Sequence, residues 1–293
     1  MSLEGISRIG LGCVTFGREI DAAASFKMMD HARNNGVTFF DTAAAYSNGA
    51  SETIVGKWLR SRGAASLSIV ISTKVLPPFA PENLALSVNG SLMRLGTEAI
   101  DVLFLHRWDS SLESVETLKA LDGLLCSGKV RALGASNFTL GQLRNIVSIQ
   151  KNHGLAAFSY VQNNHNLAVS DIGIAFEQFC ILNNIDIITY SPLGAGFLTG
   201  KHQNGIYPGS RFDLITGHQD VYFNEKAQRR LHQLLLIAGK TGYNPVHLAL
   251  AWALHQLAVT SVLIGGRTTA HLDQAFLALN FDDPDIFAEL ESV

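Results

Sequence analysis

Short apolar runs recur eight times along this chain, and longer amphipathic segments separate them. The runs cover residues 8–11, 38–40, 67–73, 100–105, 130–135, 158–161, 185–189 and 259–264. From the second run onward each leads into a polar, titratable or glycine residue: Asp41, Lys74, His106, Ser136, Gln162, Tyr190 and Gly265. Runs that are apolar throughout suit strands of a parallel sheet covered on both faces. The segments between them carry helical periodicity at 22–35, 51–61, 81–95, 112–127, 139–152, 171–184 and 269–279. Ser51, Ser111 and Asp171 read as helix N-caps, and Gly36, Gly63 and Gly128 as helix stops. No element is assigned at 224–258, and 194–223 reads as one long irregular loop rich in Gly, polar and aromatic residues. Loops of that length are often functional lids.

Eight strand–helix units in one sheet point to an α/β fold, a TIM (β/α)8 barrel, with a doubly wound open sheet as the alternative. The barrel is favoured on two grounds. No GxGxxG follows the first strand, as an open dinucleotide-binding sheet would require. The chemistry-bearing residues also sit at the C-terminal ends of many different strands, where a barrel collects them at one mouth. With 293 residues, 47% of them hydrophobic and 16% charged, the chain is long enough for one such barrel, and residues 1–293 are expected to form a single domain.

The net charge is −3, and no dense Lys/Arg stretch provides a phosphate-backbone footprint, so nucleic acid is not an expected partner. No run of about 18 or more apolar residues is long enough to span a bilayer, and no membrane association is expected. Cys13, Cys126 and Cys180 match no zinc or CxxC spacing. No metal is expected, and a reduced, cytoplasmic protein is.

Asp41, Tyr46, Lys74 and His106 make one chemical proposition. A phenol with a reference pKa of about 10 is a poor proton donor at neutral pH, and a neighbouring ammonium lowers that value. Lys74 is placed to do so, and Asp41 to hold Lys74 and offset the burial of its charge. His106 can orient a substrate oxygen, which leaves Tyr46 as general acid for a carbonyl that gains a hydride at carbon. The hydride itself requires a cofactor. Each residue alone has a plainer reading: a turn cap for Asp41, a partly buried ring for Tyr46, a solvated ammonium for Lys74, a core histidine for His106. Their joint occurrence at successive strand ends is what points to a site. A lyase using Lys74 as a Schiff base is a competing reading, opposed by Asp41, whose charge keeps the amine protonated.

Three segments then carry a resemblance to a known family. Phe40-Asp41-Thr42-Ala43-Ala44-Ala45-Tyr46-Ser47-Asn48-Gly49-Ala50-Ser51-Glu52, Ile71-Ser72-Thr73-Lys74 and Asp101-Val102-Leu103-Phe104-Leu105-His106-Arg107-Trp108-Asp109 are similar to signatures of the aldo-keto reductase superfamily. The resemblance extends nearly end to end, and the short tail is like that of bacterial-type members. It implies a catalytic tetrad of Asp41, Tyr46, Lys74 and His106. It also implies that Ser136, Asn137 and Gln162 clamp a nicotinamide carboxamide and that Tyr190 stacks on the ring. Ser191 and Leu193, with the backbone that follows, would wrap the pyrophosphate. Lys201 resembles the family's phosphate lysine, and Arg211 lies in the same loop. Gly265 and Arg267 fit a phosphate site after the last strand, as barrels often have there.

The implied activity is interconversion of an aldehyde, ketone or sugar with its alcohol, on a small-molecule substrate, using NADPH. Two departures bear on the cofactor. Gln274-Ala275 stands where the family commonly has Glu-Asn at the adenine, and His271 where many relatives carry Arg or Gln near the 2′-phosphate. They leave NADH use open. A regulatory subunit that binds cofactor, resembling potassium-channel beta subunits, is the alternative function. Phe16, Trp108 and Phe197 are candidate walls for the substrate pocket.

Overall fold

A computed structural model describes residues 3 and 5–292. In chain order its elements are β1 (Ile9–Gly12), α1 (Ala22–Asn34), β2 (Phe39–Asp41), α2 (Ala50–Arg62), β3 (Val70–Val75), α3 (Pro81–Leu95), β4 (Ile100–Leu105), α4 (Val115–Cys126), β5 (Val130–Ser136), α5 (Leu140–Asn152), β6 (Tyr160–Asn164), α6 (Ile174–Leu182) and β7 (Asp186–Tyr190). There follow α7 (Arg211–Leu214), α8 (Gly217–Tyr222), α9 (Glu225–Thr241), α10 (Pro245–Leu254), β8 (Val259–Ile264), α11 (Thr269–Leu279) and α12 (Pro284–Glu291). The strands pair in parallel in the order β1 to β8, and β8 closes on β1. The sheet is therefore the closed barrel that the strand–helix rhythm implies, and the open-sheet alternative is ruled out.

Strand periodicity decides what each residue faces. Phe39, Val102, Phe104, Ala132, Tyr160, Ile188 and Leu263 point inward and form one buried cluster inside the barrel, with Leu3 and Ile6 packed against it. The intervening residues, such as Phe40, Leu103, Leu105, Leu133, Val161 and Ile187, join the larger core between sheet and helices. Space inside the barrel is tight. A Cβ on Gly134 would lie 2.3 Å from the Phe104 ring, so glycine there makes room for the aromatic side chain. Toward the mouth most inward faces turn polar: Asp41 lies beside Ser72 and Ser136 beside Gln162, while Lys74 stands beside the apolar Phe104. The apolar lower layer thus supports a polar upper one at the mouth.

Several sequence expectations are corrected. The third strand runs to Val75 and includes Lys74, and the sixth runs from Tyr160 to Asn164 and includes Gln162. Both strands extend further because their polar residues point into the barrel or pair across the sheet. Ser51 is buried inside α2, whose N-cap is Gly49, and Asp171 precedes α6 by a loop. Ser111 lies in a 3-10 turn capped by Asp109. Gly36, Gly63 and Gly128 do adopt the positive φ of helix stops. The stretch 194–223 contains two short helices, and 224–258 is mostly α9 and α10. Phe16 and Phe197 are buried, at 0% and 1% exposure, and are not walls of an open pocket. Trp108 is half-buried, with its Nε1 lacking a partner. No described helix is long and apolar enough to cross a membrane, and the three cysteines are unpaired.

Candidate active site

Asp41 closes β2, Lys74 lies near the end of β3 and His106 follows β4, so three adjacent strands bring them to one end of the barrel. Tyr46 starts a 3-10 turn between β2 and α2. Lys74 is 1% exposed and Asp41 2%. The Lys74 ammonium donates to Asp41 Oδ2 at 2.5 Å, to the Thr42 carbonyl at 2.9 Å and to Tyr46 Oη at 3.2 Å. Those three acceptors match its three protons. Asp41 Oδ1 accepts from Ser72 Oγ at 2.7 Å and from Gln162 Nε2 at 2.9 Å. The buried ion pair is thereby hydrogen-bonded on both sides, the condition under which burying two charges is tolerated.

Tyr46 Oη accepts from Lys74, so its own O–H is free to point elsewhere. Its ring meets His106 edge-on, with centroids 5.8 Å apart. The turn that carries it is strained: Ser47, Asn48 and Gly49 all have positive φ, at 50°, 52° and 85°. Non-glycine residues in that region cost about 1 kcal/mol or more each and persist only where the surroundings hold them. Ser47 Oγ donates to the Phe16 carbonyl and Thr53 Oγ1 to the Gly49 carbonyl.

The electrostatics correct one expectation. Burial pushes the Tyr46 phenol above its ordinary value, and Lys74 opposes this without cancelling it. Burial also works against the Lys74 ammonium, but Asp41 and then Tyr46 outweigh it, and Lys74 ends above its ordinary value. A lysine so protonated, with every proton engaged, is no nucleophile, which removes the lyase reading. Burial, and then the charges of Lys74 and Arg107, push His106 down to about 3. The imidazole is neutral at physiological pH, and its Nδ1 is buried without a partner.

The remaining expected residues fall into two groups. Ser136, Asn137, Gln162 and Tyr190 meet at the tops of β5, β6 and β7. Ser136 Oγ donates to the Gln162 carbonyl, and Asn137 Nδ2 donates to the His106 carbonyl and to Ser136 Oγ. Tyr190 Oη donates to Asn137 Oδ1 at 2.6 Å. Asn137 and Ser191 hold positive φ. Gln162 Nε2 is committed to Asp41 Oδ1.

The second group lies on the loops after β7 and β8. Leu193 begins a 3-10 turn over residues 194–199, and the exposed Lys201 folds back toward Gly196. Arg211 lies 3.7 Å from Glu19, and Arg267 Nη2 donates to the Gly209 carbonyl at 3.4 Å. Gly265 lies beside Gly12 at the β1–β8 seam. His271 Nδ1 accepts from the Thr268 backbone in a capping box at the start of α11, so that nitrogen is committed locally. Within α11, Ala275 is fully buried and Gln274 is exposed.

Two contributors went unread in the sequence. Ser72 grips Asp41, and its signal was its position two residues before Lys74, on the same strand face. Glu52, 0% exposed, accepts from Thr73 Oγ1 and Arg94 Nε, each at 2.6 Å. A Glu two residues into a helix gave no hint of burial.

Similarity to known proteins extends over the whole barrel. The family model described as Aldo/keto reductase family matches residues 8–292. "Protein tas" of Escherichia coli (strain K12) is 28% identical over 330 residues, spanning 100% of this chain and 95% of that protein. "Uncharacterized oxidoreductase YrpG" of Bacillus subtilis (strain 168) is 28% identical, spanning 98% of this chain and 92% of that protein. "Putative voltage-gated potassium channel subunit beta" of Schizosaccharomyces pombe (strain 972 / ATCC 24843) is 29% identical, spanning 96% and 88% respectively.

Proposed function

This chain belongs to the aldo/keto reductase family, and from that premise we propose that it is an NADPH-dependent reductase of aldehydes, ketones or sugars in which Tyr46 is the proton donor. Family membership makes it an oxidoreductase of the carbonyl/alcohol type, in a family that generally uses NAD(P)H. One observation carries the finer reading: Tyr46 Oη accepts from Lys74 at 3.2 Å, while the other two Lys74 protons go to Asp41 and Thr42. A phenol so held has its O–H available to a substrate oxygen and an ammonium beside it to stabilise the phenolate left behind. His106, neutral and edge-on to Tyr46, offers a ring N–H to the same oxygen and steers it toward the phenol. The reaction reverses by the same route, with the phenolate taking the proton of an alcohol.

The donor set fits a nicotinamide dinucleotide. Ser136, Asn137 and Gln162 present amide and hydroxyl groups of the kind suited to a carboxamide. Tyr190 offers a ring face, and Ser191 and Leu193 begin the backbone that would follow the pyrophosphate. Lys201, Arg211, Arg267 and the bare backbone at Gly265 suit phosphates. When bound, the cofactor supplies the hydride. With His271 Nδ1 engaged by Thr268, the 2′-phosphate would fall to Lys201 and Arg267, and Ala275 offers no polar group to an adenine.

Titration with NADPH and NADH, followed by intrinsic fluorescence, tests the cofactor assignment. Micromolar NADPH binding with much weaker NADH binding is expected; tighter NADH binding would overturn the phosphate assignment. Tyr46→Phe should keep NADPH binding and lower turnover about a hundredfold or more; normal turnover in that variant would sink the mechanism. The beta-subunit names among the relatives support a second reading, a regulatory protein that retains its cofactor. It predicts tight cofactor retention with slow turnover across a carbonyl panel, where the reductase predicts rapid turnover.

A further inference from the structure

Tyr46 and Lys74 approach each other from different segments, and their 3.2 Å contact needs something to fix the distance between those segments. On one side lies the left-handed turn of residues 47–49. On the other is β3, where Thr73 precedes Lys74 and points outward, away from the mouth, to a fully buried position. Glu52 sits between them, with one oxygen held by Thr73 and the other by Arg94 Nε.

Arg94, near the end of α3, reaches Glu52 by passing over Gly49. A Cβ on Gly49 would lie 2.6 Å from Arg94 Cδ and 2.7 Å from its Nε. Gly49 is thus required both for its φ of 85° and for the closeness of the guanidinium stem. Arg94 Nη2 also reaches Ser91 Oγ at 3.2 Å. The helices themselves are in near-contact behind this clasp, since a Cβ on Gly56 would lie 2.3 Å from the Leu95 carbonyl oxygen. The side-chain hydrogen bonds of Arg94 and Glu52 go to each other, to Ser91 and to Thr73, not to Tyr46, Lys74 or His106.

We propose that Arg94 and Glu52 are positioning residues that set the Tyr46–Lys74 distance, with Arg94 pinning the end of the Tyr46 turn and Glu52 tying it to Thr73 on the Lys74 strand. One carboxylate therefore couples the strained turn to the lysine strand from the outer side of the barrel. The proposal rests on the Tyr46 reading above. Its alternative is a clasp that only holds α2 against α3. The two differ in what they move: a purely structural clasp affects stability, whereas a positioning clasp alters proton transfer at Tyr46 without altering the cofactor site.

The test compares Thr73→Val, Glu52→Gln and Arg94→Lys with the parent protein, using 4-nitrobenzaldehyde as probe substrate. Thr73→Val is nearly isosteric and cuts only the link from Glu52 to β3, so it serves even if the charge variants fold poorly. The expected result is NADPH affinity within about twofold of the parent and kcat lowered about tenfold or more, the scale of a small misplacement of reacting groups. A looser Lys74 contact stabilises the phenolate less, so the alkaline limb of the kcat profile should move up by about one pH unit. Arg94→Lys should retain more activity than Arg94→Met, because it keeps a cation for Glu52. A lower melting temperature with unchanged kcat and an unmoved alkaline limb would overturn the proposal. Tyr46→Phe separates the two failures. Full turnover in that variant discards the Tyr46 mechanism itself. An inactive Tyr46→Phe beside a parent-like Thr73→Val discards only the clasp.

Discussion

Lys74 is the residue on which the site turns, because all three of its protons have acceptors and none is left for solvent. Asp41→Asn should expose how much of this depends on charge. With the carboxylate gone, the ammonium stays buried without its counter-ion, and breaking such a pair costs about 3–5 kcal/mol. Chemical denaturation should register that loss, and the same variant should lose turnover, since Lys74 would no longer be held as a cation beside Tyr46. His106 gives a second prediction at this scale. Held at about 3, it does not titrate in the working range, so the pH profile of kcat should lack an ionisation near 6.5. A limb there that disappeared in His106→Asn would contradict the neutral-imidazole role.

At the scale of elements, what the sequence disclosed depended on how each segment is buried. β4 and β8 are mostly apolar, and their bounds were readable directly. β6 was not, because Gln162, Asn163 and Asn164 look like a loop in sequence yet are buried strand residues. α10 is apolar around nearly its whole circumference, so it has no amphipathic period to read. α9 did carry one: Ala227, Leu231, Leu234 and Ala238 fall three or four residues apart. Asp41, Lys74 and His106 could be grouped because they lie at successive strand ends, with Tyr46 in the loop after Asp41, whereas the contacts of Ser72, Glu52 and Arg94 are three-dimensional and spacing alone does not announce them. α5, which starts just after Asn137, offers an element-scale prediction. Thr139 and Gln142 form a full capping box there. Thr139→Ala should cost about 1 kcal/mol, seen as a lower denaturation midpoint with an unchanged m-value.

For the whole molecule, the half-buried His106 and the buried His165 should contribute to the response to acid. His106 lies at about 3 and His165 at about 4, both pushed down chiefly by burial. The unfolded chain takes up these protons below about pH 6.5, while the native chain resists until much lower. Their contribution to stability is therefore complete above about 6.5 and is lost as pH falls toward those native values. Melting temperature measured from pH 7 down to 4 should decline, and His165→Asn should flatten the decline. An unchanged slope in that variant would show that other groups govern acid unfolding.

The β1–β8 pairing has a consequence for how the protein is made. One edge of β1 pairs early, Leu11 with Phe40 and Gly12 with Asp41, but on the other edge Ile9, Gly10 and Leu11 wait for Val262, Leu263 and Ile264. Until translation passes that last strand, β1 has an open edge and the nascent barrel has a gap in its wall. Such edges invite pairing with other chains, and contacts this distant in sequence form slowly. The barrel wall is thus closed only once β8 has been made, and it is the chain without β8, rather than the one with it, that carries the exposed strand edge.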